Sequence, residues 1–260
     1  MNFDEVASIE EMLATKTFGR ALRLIDRCGS TNDEAAAWAR EGAPEGAVVM
    51  ADEQTGGRGR LGRTWHSPAG ENLYLSLILR PKIDPQRAPP LTLVAAVALS
   101  EAVEECGGDV ELKWPNDLLL GGLKVAGILT EMATSGRGIE HVVIGIGLNF
   151  YEREFPPELA GKATSLTLAT GLLRKPMYRT TFAAGLLGRL ETWYLRFLEG
   201  GPAEVVTAWS RRARLVGTRV EVQTGREPVR GVAERLDEDG ALLVRTDDGA
   251  VVRVVAGELV

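Results

Sequence analysis

Apolar and polar residues alternate over residues 72–80, with Leu73, Leu75, Leu77 and Leu79 on one side. This period of two predicts a strand. Residues 89–105 are apolar almost throughout and read as a buried helix. Shorter apolar runs predict strands at 21–26, 47–50 and 110–114, the last stopped by Pro115. Residues 118–120 and 123–131 flank Gly121-Gly122, a pair able to take the positive φ angles of a tight hairpin turn. A continuous apolar strand is expected at 141–149, with Gly145 and Gly147 inside it. Interior glycines weaken a strand and mark a close approach to its backbone, here expected from a ligand. A helix is expected from Ser30 through Arg40, where Thr31 and Glu34 have capping-box spacing. Two more are expected at 175–198 and 202–214, and the polar, glycine-rich stretch 52–63 reads as a loop.

Beyond Gly217 the pattern changes. Short strands at 219–222, 229–236, 242–246 and 251–255 are separated by Thr224-Gly225 and by residues 237–240 and 247–249. Regular short strands with tight turns point to a small β-barrel. The division expected is therefore 1–216 for the main body and 217–260 for the C-terminal unit. Hairpin-linked strands mixed with helices make the main body α+β rather than doubly wound.

Charge and composition narrow the classes. The 30 basic and 36 acidic residues leave a formal charge of −6, which excludes bulk attraction to nucleic acid or anionic membranes. Two distant cysteines and two histidines argue against a disulfide framework or a multi-histidine metal site. Residues 1–15 have no apolar run of the signal-peptide kind, and residues 91–99 are too short to span a bilayer. The expectation is a cytoplasmic, soluble protein with reduced thiols and no membrane partner. Only six of the basic residues are lysines, so each can be asked what it does.

Three stretches carry candidate chemistry. The first is Gly56-Gly57-Arg58-Gly59-Arg60-Leu61-Gly62-Arg63. Its glycines let the backbone turn closely and expose N–H groups, and its arginines offer forked donors to phosphate or carboxylate. No GxxxxGK[ST] loop occurs. The second is Lys113-Trp114-Pro115-Asn116-Asp117 with Lys124-Val125-Ala126-Gly127, which sets two lysines across the expected hairpin. Lysine suits a developing phosphate or carboxylate charge, and Asp117 has the chemistry to hold Mg²⁺ with water and phosphate oxygens. The third is Ser30-Thr31-Asn32 with Gln54. Its hydroxyls and amides suit a polar, uncharged small molecule at a helix N-terminus, although capping explains the same residue types.

In this order the motifs resemble biotin protein ligases: Ser30 to Asn32, Gln54 with Gly57 to Arg60, Trp65, Asn72-Leu73, Lys113 to Asp117, Lys124 to Leu129 and Gly145 to Asn149. The resemblance implies an SH2-like mixed sheet flanked by helices and an SH3-like C-terminal unit. It implies that biotin and Mg·ATP form biotinyl-5′-AMP, whose anhydride is attacked by a lysine of the biotin carboxyl carrier protein of acetyl-CoA carboxylase. Lys124 is then the catalytic cation touching both reacting anions, with Arg58 beside it. Ser30, Thr31, Asn32, Gln54, Gly57, Arg58, Gly59, Arg60 and Lys124 fall on the biotin side. Arg58, Arg60, Trp65, Lys113, Asn116 and Asn149 fall on the ATP or adenylate side, and Asp117 is the Mg²⁺ residue. The resemblance further implies a homodimer through the main sheet. Fewer than about twenty residues precede the first strand, too few for a helix-turn-helix unit, so no DNA partner is expected. Relatives often continue a few residues beyond the equivalent of Val260, so an ATP contact from such an extension is not expected. The alternatives are a lipoate–protein ligase or lipoyl transferase, and a nucleic-acid-binding module built on the arginine loop.

Overall fold

Seven strands form the main sheet: β1 (Leu22–Cys28), β2 (Val48–Gln54), β3 (Leu73–Leu79), β4 (Val110–Lys113), β5 (Asp117–Leu120), β6 (Leu123–Ser135) and β7 (Gly138–Leu148). Their order is β1-β2-β3-β7-β6-β5-β4. The computed structural model describes residues 9–136, 138–172, 176–225 and 227–259. The sheet is mixed: β1 and β2 are parallel, joined by helix α1 (Thr31–Arg40), and every other neighbouring pair is antiparallel. Gly121 and Gly122, at φ 57° and 77°, make the tight turn from β5 to β6.

All seven residues of β3 are buried, including those that the alternation left for the second face. Leu73, Leu75, Leu77 and Leu79 enter the main core, whereas Ile78 packs with Ala35 and Ala39 of α1. The alternation therefore separates two packed layers, not protein from water. Helix α2 (Leu91–Glu105) buries eleven of its fifteen residues. A helix apolar all round belongs in a core, and α2 sits against α4 (Pro176–Gly200) and α5 (Ala203–Arg212). Lys175, the expected first residue of α4, lies outside the described residues, as do residues 1–8 and Val260. A short helix not anticipated, α3 (Leu166–Thr170), is capped by the Ser165 hydroxyl, which accepts from Leu168 N.

Two local expectations are corrected. Strand β2 runs on through Gln54, because Arg27 and Cys28 of β1 pair with Glu53 and Gln54, so residues 52–54 are strand rather than loop. The capping box at Thr31 does not form. Ser30 occupies the N-cap without a side-chain cap bond, and the Thr31 N–H is satisfied by Gln54 instead.

The C-terminal strands are β8 (Arg219–Gln223), β9 (Val229–Leu236), β10 (Leu242–Arg245), β11 (Val251–Val254) and β12 (Glu258–Leu259). They form an antiparallel sheet in the order β11-β10-β9-β8-β12. Among the described residues no ladder joins β11 to β12, so the unit is a five-stranded sheet, not a closed barrel. Its apolar residues, among them Val222, Leu242 and Val244, continue the main core. Cys28 and Cys106 are free thiols. Burial, with Glu34 and Asp33 nearby, pushes Cys28 up to about 11, which keeps it from reacting as a thiolate at neutral pH. Among the described residues no helix is long and apolar enough to cross a membrane.

One clamp makes the N-terminal segment sensitive to acid. Glu191 of α4 accepts from the backbone N–H groups of Lys16, Thr17 and Phe18 at 2.8, 2.6 and 2.9 Å. Burial alone would raise this carboxyl, but the three N–H groups and Arg20 outweigh it and hold it below its usual 4.5. A carboxyl depressed on folding adds stability above its unfolded value and loses it as pH falls further. Glu191→Gln is therefore expected to cost about 1.5–3 kcal/mol at pH 7 and to flatten the acid limb of the stability curve. Denaturant titrations between pH 3 and 7 check this; a variant with the wild-type acid limb removes Glu191 as its source.

Candidate active site

The register of three strands builds the floor of the site. Tyr74 of β3, Gly147 of β7 and Gly127 of β6 stand side by side, and so do Ser76, Gly145 and Leu129. These rows lie on the sheet face opposite Leu75, Ile146 and Ile128, which enter the core. The glycines make room, but for the protein's own side chains rather than the ligand expected from the sequence. A Cβ on Gly145 would lie 2.1 Å from Asn32 Oδ1, and one on Gly147 would lie 2.4 Å from Trp65 Nε1. Gly57 behaves likewise: a Cβ there would meet Ser67 Oγ and Trp65 O, both at 2.6 Å.

Above this floor lies one cavity of about 570 Å³. Its first end is polar and uncharged. Gln54, held at the end of β2 by the ladder to Cys28, accepts from Thr31 N at 2.8 Å and Thr31 Oγ1 at 3.1 Å. Its amide nitrogen donates to Ser67 Oγ at 3.0 Å. The buried Ser76 hydroxyl lies 2.8 Å from Thr31 Oγ1 and 2.7 Å from Asn32 Oδ1. Asn32 Nδ2 donates to Glu131 Oε2 at 2.6 Å and Leu129 O at 3.3 Å. Ser30, freed from capping, completes this end.

The second end is cationic. Lys124 is fixed through its backbone, which bonds Lys162 O and Thr164 N, each at 2.9 Å. Its Nζ lies 2.7 Å from Asp117 Oδ1 and 5.3 Å from the centre of the Trp65 ring. Lys113 pairs with Asp117 in the β4–β5 register, and Asn116 Nδ2 donates to Ile128 O at 2.6 Å. Trp65 Nε1 is buried against the Gly147 floor with no hydrogen-bond partner among the described residues.

The glycine–arginine loop roofs the cavity as a tight hairpin. Gly59 N donates to Arg63 O at 2.7 Å, and Trp65 N donates to Gly57 O at 2.8 Å. Leu61 at its tip has φ 56° and is 76% exposed. The three arginines go separate ways. Arg58 lies 2.8 Å from Asp33 and 3.2 Å from Glu131. Arg63 pairs with Glu258 of the C-terminal sheet. Among the described residues Arg60 contacts neutral oxygens, Asn116 Oδ1 and Gly257 O, both at 3.4 Å. Burial outweighs the pull of Asp117 and Glu258 and lowers its pKa, whereas contacts with carboxylates hold Arg58 and Arg63 above the usual range.

Thirteen of the fourteen residues expected at the site line this cavity: Ser30, Thr31, Asn32, Gln54, Arg58, Gly59, Arg60, Trp65, Lys113, Asn116, Asp117, Lys124 and Asn149. Gly57 stands behind the wall. The amide of Asn149 is spent on Thr164 O at 3.0 Å, so this residue clasps the segment that also bonds Lys124. Sequence reading missed Phe155, Leu159, Lys162, Gly257 and Glu258 in the lining, and Ser67, Ser76 and Glu131 behind it. His66, which has no motif partner in the sequence, lies 3.0 Å from the buried Glu152.

A mixed sheet with a glycine floor, one cavity joining an amide–hydroxyl end to a lysine–arginine end, and a small antiparallel sheet holding the roof loop recur in known proteins, and the sequence matches place the chain among the ligases of the biotin/lipoate class. Residues 24–149 match the Biotin/lipoate A/B protein ligase family, and residues 216–260 match the Biotin protein ligase C terminal domain. The bifunctional ligase/repressor BirA of Bacillus subtilis is 39% identical over 240 residues, covering 91% of this chain and 73% of that one. The biotin--[acetyl-CoA-carboxylase] ligase of Paracoccus denitrificans is 37% identical, covering 88% and 96%. A biotin protein ligase from Aquifex aeolicus, solved in complex with biotin and ATP, superposes with a TM-score of 0.79 at 31% identity, covering 93% and 98%. The chain belongs to the biotin protein ligase family.

Proposed function

We propose that the protein activates biotin with ATP as biotinyl-5′-AMP and transfers it to a lysine of the biotin carboxyl carrier protein of acetyl-CoA carboxylase. The observation that carries this reading is the cavity itself, in which an uncharged hydrogen-bonding end and a cationic end share one floor. Ser30, Thr31, Asn32 and Gln54 suit the ureido ring, which is polar and neutral. The valeryl chain then runs past Trp65 toward Lys124.

The first step brings a carboxylate onto an α-phosphate, and two anions repel. Lys124, rooted by two backbone bonds, places a cation where they meet, and Arg60 adds a guanidinium that has no carboxylate at ion-pair distance among the described residues. Fixed charges in a closed site act without reorganising, which is why such groups contribute heavily to rate. Lys113 and Asn116 lie toward the adenylate. The roof loop keeps water from the anhydride until the acceptor amine arrives.

Mg²⁺ would be held by ATP phosphates and water, with Asp117 as its protein ligand. Among the described residues no group of three His, Cys, Asp or Glu forms a cation cage, and a single carboxylate fits a metal that keeps its waters. Bound there, the ion would neutralise phosphate charge.

The names of the Paracoccus relative and of a Mycobacterium tuberculosis relative, both biotin--[acetyl-CoA-carboxylase] ligases, support the choice of carrier. The homodimer expected through the main sheet has a candidate surface: past Leu129, among the described residues, β6 pairs only with β7. The activity test is biotin-dependent ATP–pyrophosphate exchange, followed by labelling of a purified biotinyl carrier domain. Exchange with lipoate and none with biotin would overturn the assignment of substrate; exchange without carrier labelling would overturn the assignment of acceptor.

A further inference from the structure

Arg58 has the residue type of an anion ligand but not the surroundings of one. Its two terminal nitrogens are divided between Asp33, in the first turn of α1, and Glu131, on β6. One guanidinium between two carboxylates leaves a formal charge of 1 − 2 = −1, so a phosphate gains nothing by approaching it. Glu131 is shared: its Oε2 also accepts from Asn32 Nδ2 at 2.6 Å. That amide is oriented from its other side by Ser76, so Asn32 has no slack. Arg58 is in turn bridged to Thr64 through the backbone, and Gly57 O holds Trp65 N. A pull on the Arg58 guanidinium therefore reaches Trp65, the wall beside Lys124.

We infer that Asp33 and Glu131 are positioning residues that use Arg58 as a tether, fastening the roof loop to the biotin end of the cavity. This rests on the proposed biotin ligase reading. Arg58 is then a strap, and Arg60 is the loop arginine left to meet an anion. Glu131 links two tasks, orienting Asn32 and holding the roof, so the loop is seated when the ureido end is in order.

Glu131→Gln is the sharpest probe. It keeps an amide oxygen for Asn32 Nδ2 and removes only the charge that Arg58 needs. The ion pairs are about half exposed, with side chains 40–57% accessible, so each substitution is expected to move binding only about fivefold. In the full-length protein, Arg58→Gln and Glu131→Gln should each weaken biotin binding about fivefold by calorimetry and speed the escape of biotinyl-adenylate. The KM for ATP should stay within about twofold. Because Arg58→Gln already removes the pair with Glu131, the double variant should lose no more than Arg58→Gln alone and not the product of the two losses. The tether is overturned if Arg58→Gln raises the KM for ATP or lowers kcat with biotin affinity intact, since that places Arg58 on the phosphate. It is overturned equally if the two losses multiply, or if biotin affinity is unchanged in both. A folded wild-type protein that binds no biotin would instead sink the ligase reading on which the inference stands.

Discussion

Lys124→Ala is expected to lower biotin-dependent ATP–pyrophosphate exchange by about 10²–10³-fold, the usual loss when one preorganised charge-stabilising group is removed. The backbone around it would not shift, because the bonds to Lys162 and Thr164 use main-chain atoms that alanine retains. What disappears is the cation 2.7 Å from Asp117, which leaves that carboxylate to repel the incoming phosphate. Both changes raise the same barrier. Circular dichroism should match the wild type while exchange is lost. Transfer from supplied biotinyl-5′-AMP should suffer less than adenylate formation, because no second anion must then be brought in. A folded variant with near-normal exchange would remove Lys124 from the chemistry.

Gly145→Ala is expected to weaken biotin binding by about a hundredfold although the new methyl touches no ligand. The Cβ would fall 2.1 Å from Asn32 Oδ1 and 2.9 Å from Asn32 Cγ, far inside contact distance. Asn32 cannot step aside, since Ser76, Leu129 and Glu131 hold it from three directions. Moving it breaks the Asn32 bonds to Ser76, Leu129 and Glu131, each worth about 0.5–1.5 kcal/mol. Overpacking adds a similar loss in stability. Gly188→Ala on α4 is the control. Nothing lies within 4 Å of its added Cβ, so helix propensity alone should make it neutral or stabilising by up to about 1 kcal/mol. If Gly145→Ala binds biotin like the wild type, Asn32 does not contribute to the biotin end.

These residues also mark how far the sequence could be read. Alternation in β3, the apolar run of α2 and the Gly121-Gly122 turn are local signals, and each located its element. The residue types of the cavity were legible because lysine, arginine and amides cluster in short motifs. Partners were not. Ser76 sits in a strand as an ordinary polar position, and only the register beside Gly145 turns it into the support of Thr31 and Asn32. No local motif ties Glu131 or Asp33 to Arg58, and only the convergence of β6 and α1 brings them to it. The interior glycines announced a close approach, yet a missing side chain does not say what fills the space. Gln54 reads as a loop residue for a similar reason: its strand exists only through pairing with Cys28.

The roof loop has a consequence for the timing of synthesis. Arg58 is fastened to Glu131, 73 residues on, whereas Arg63 reaches Glu258 across 195 residues and Arg60 reaches Gly257 across 197. Contacts of such separation form late, because the closure entropy of the intervening chain must be met first. A ribosome-bound chain thus displays the lysine and the glycine floor long before it can fasten its roof at both ends. The roof can be fastened at its second end only after residues 257 and 258 have left the tunnel.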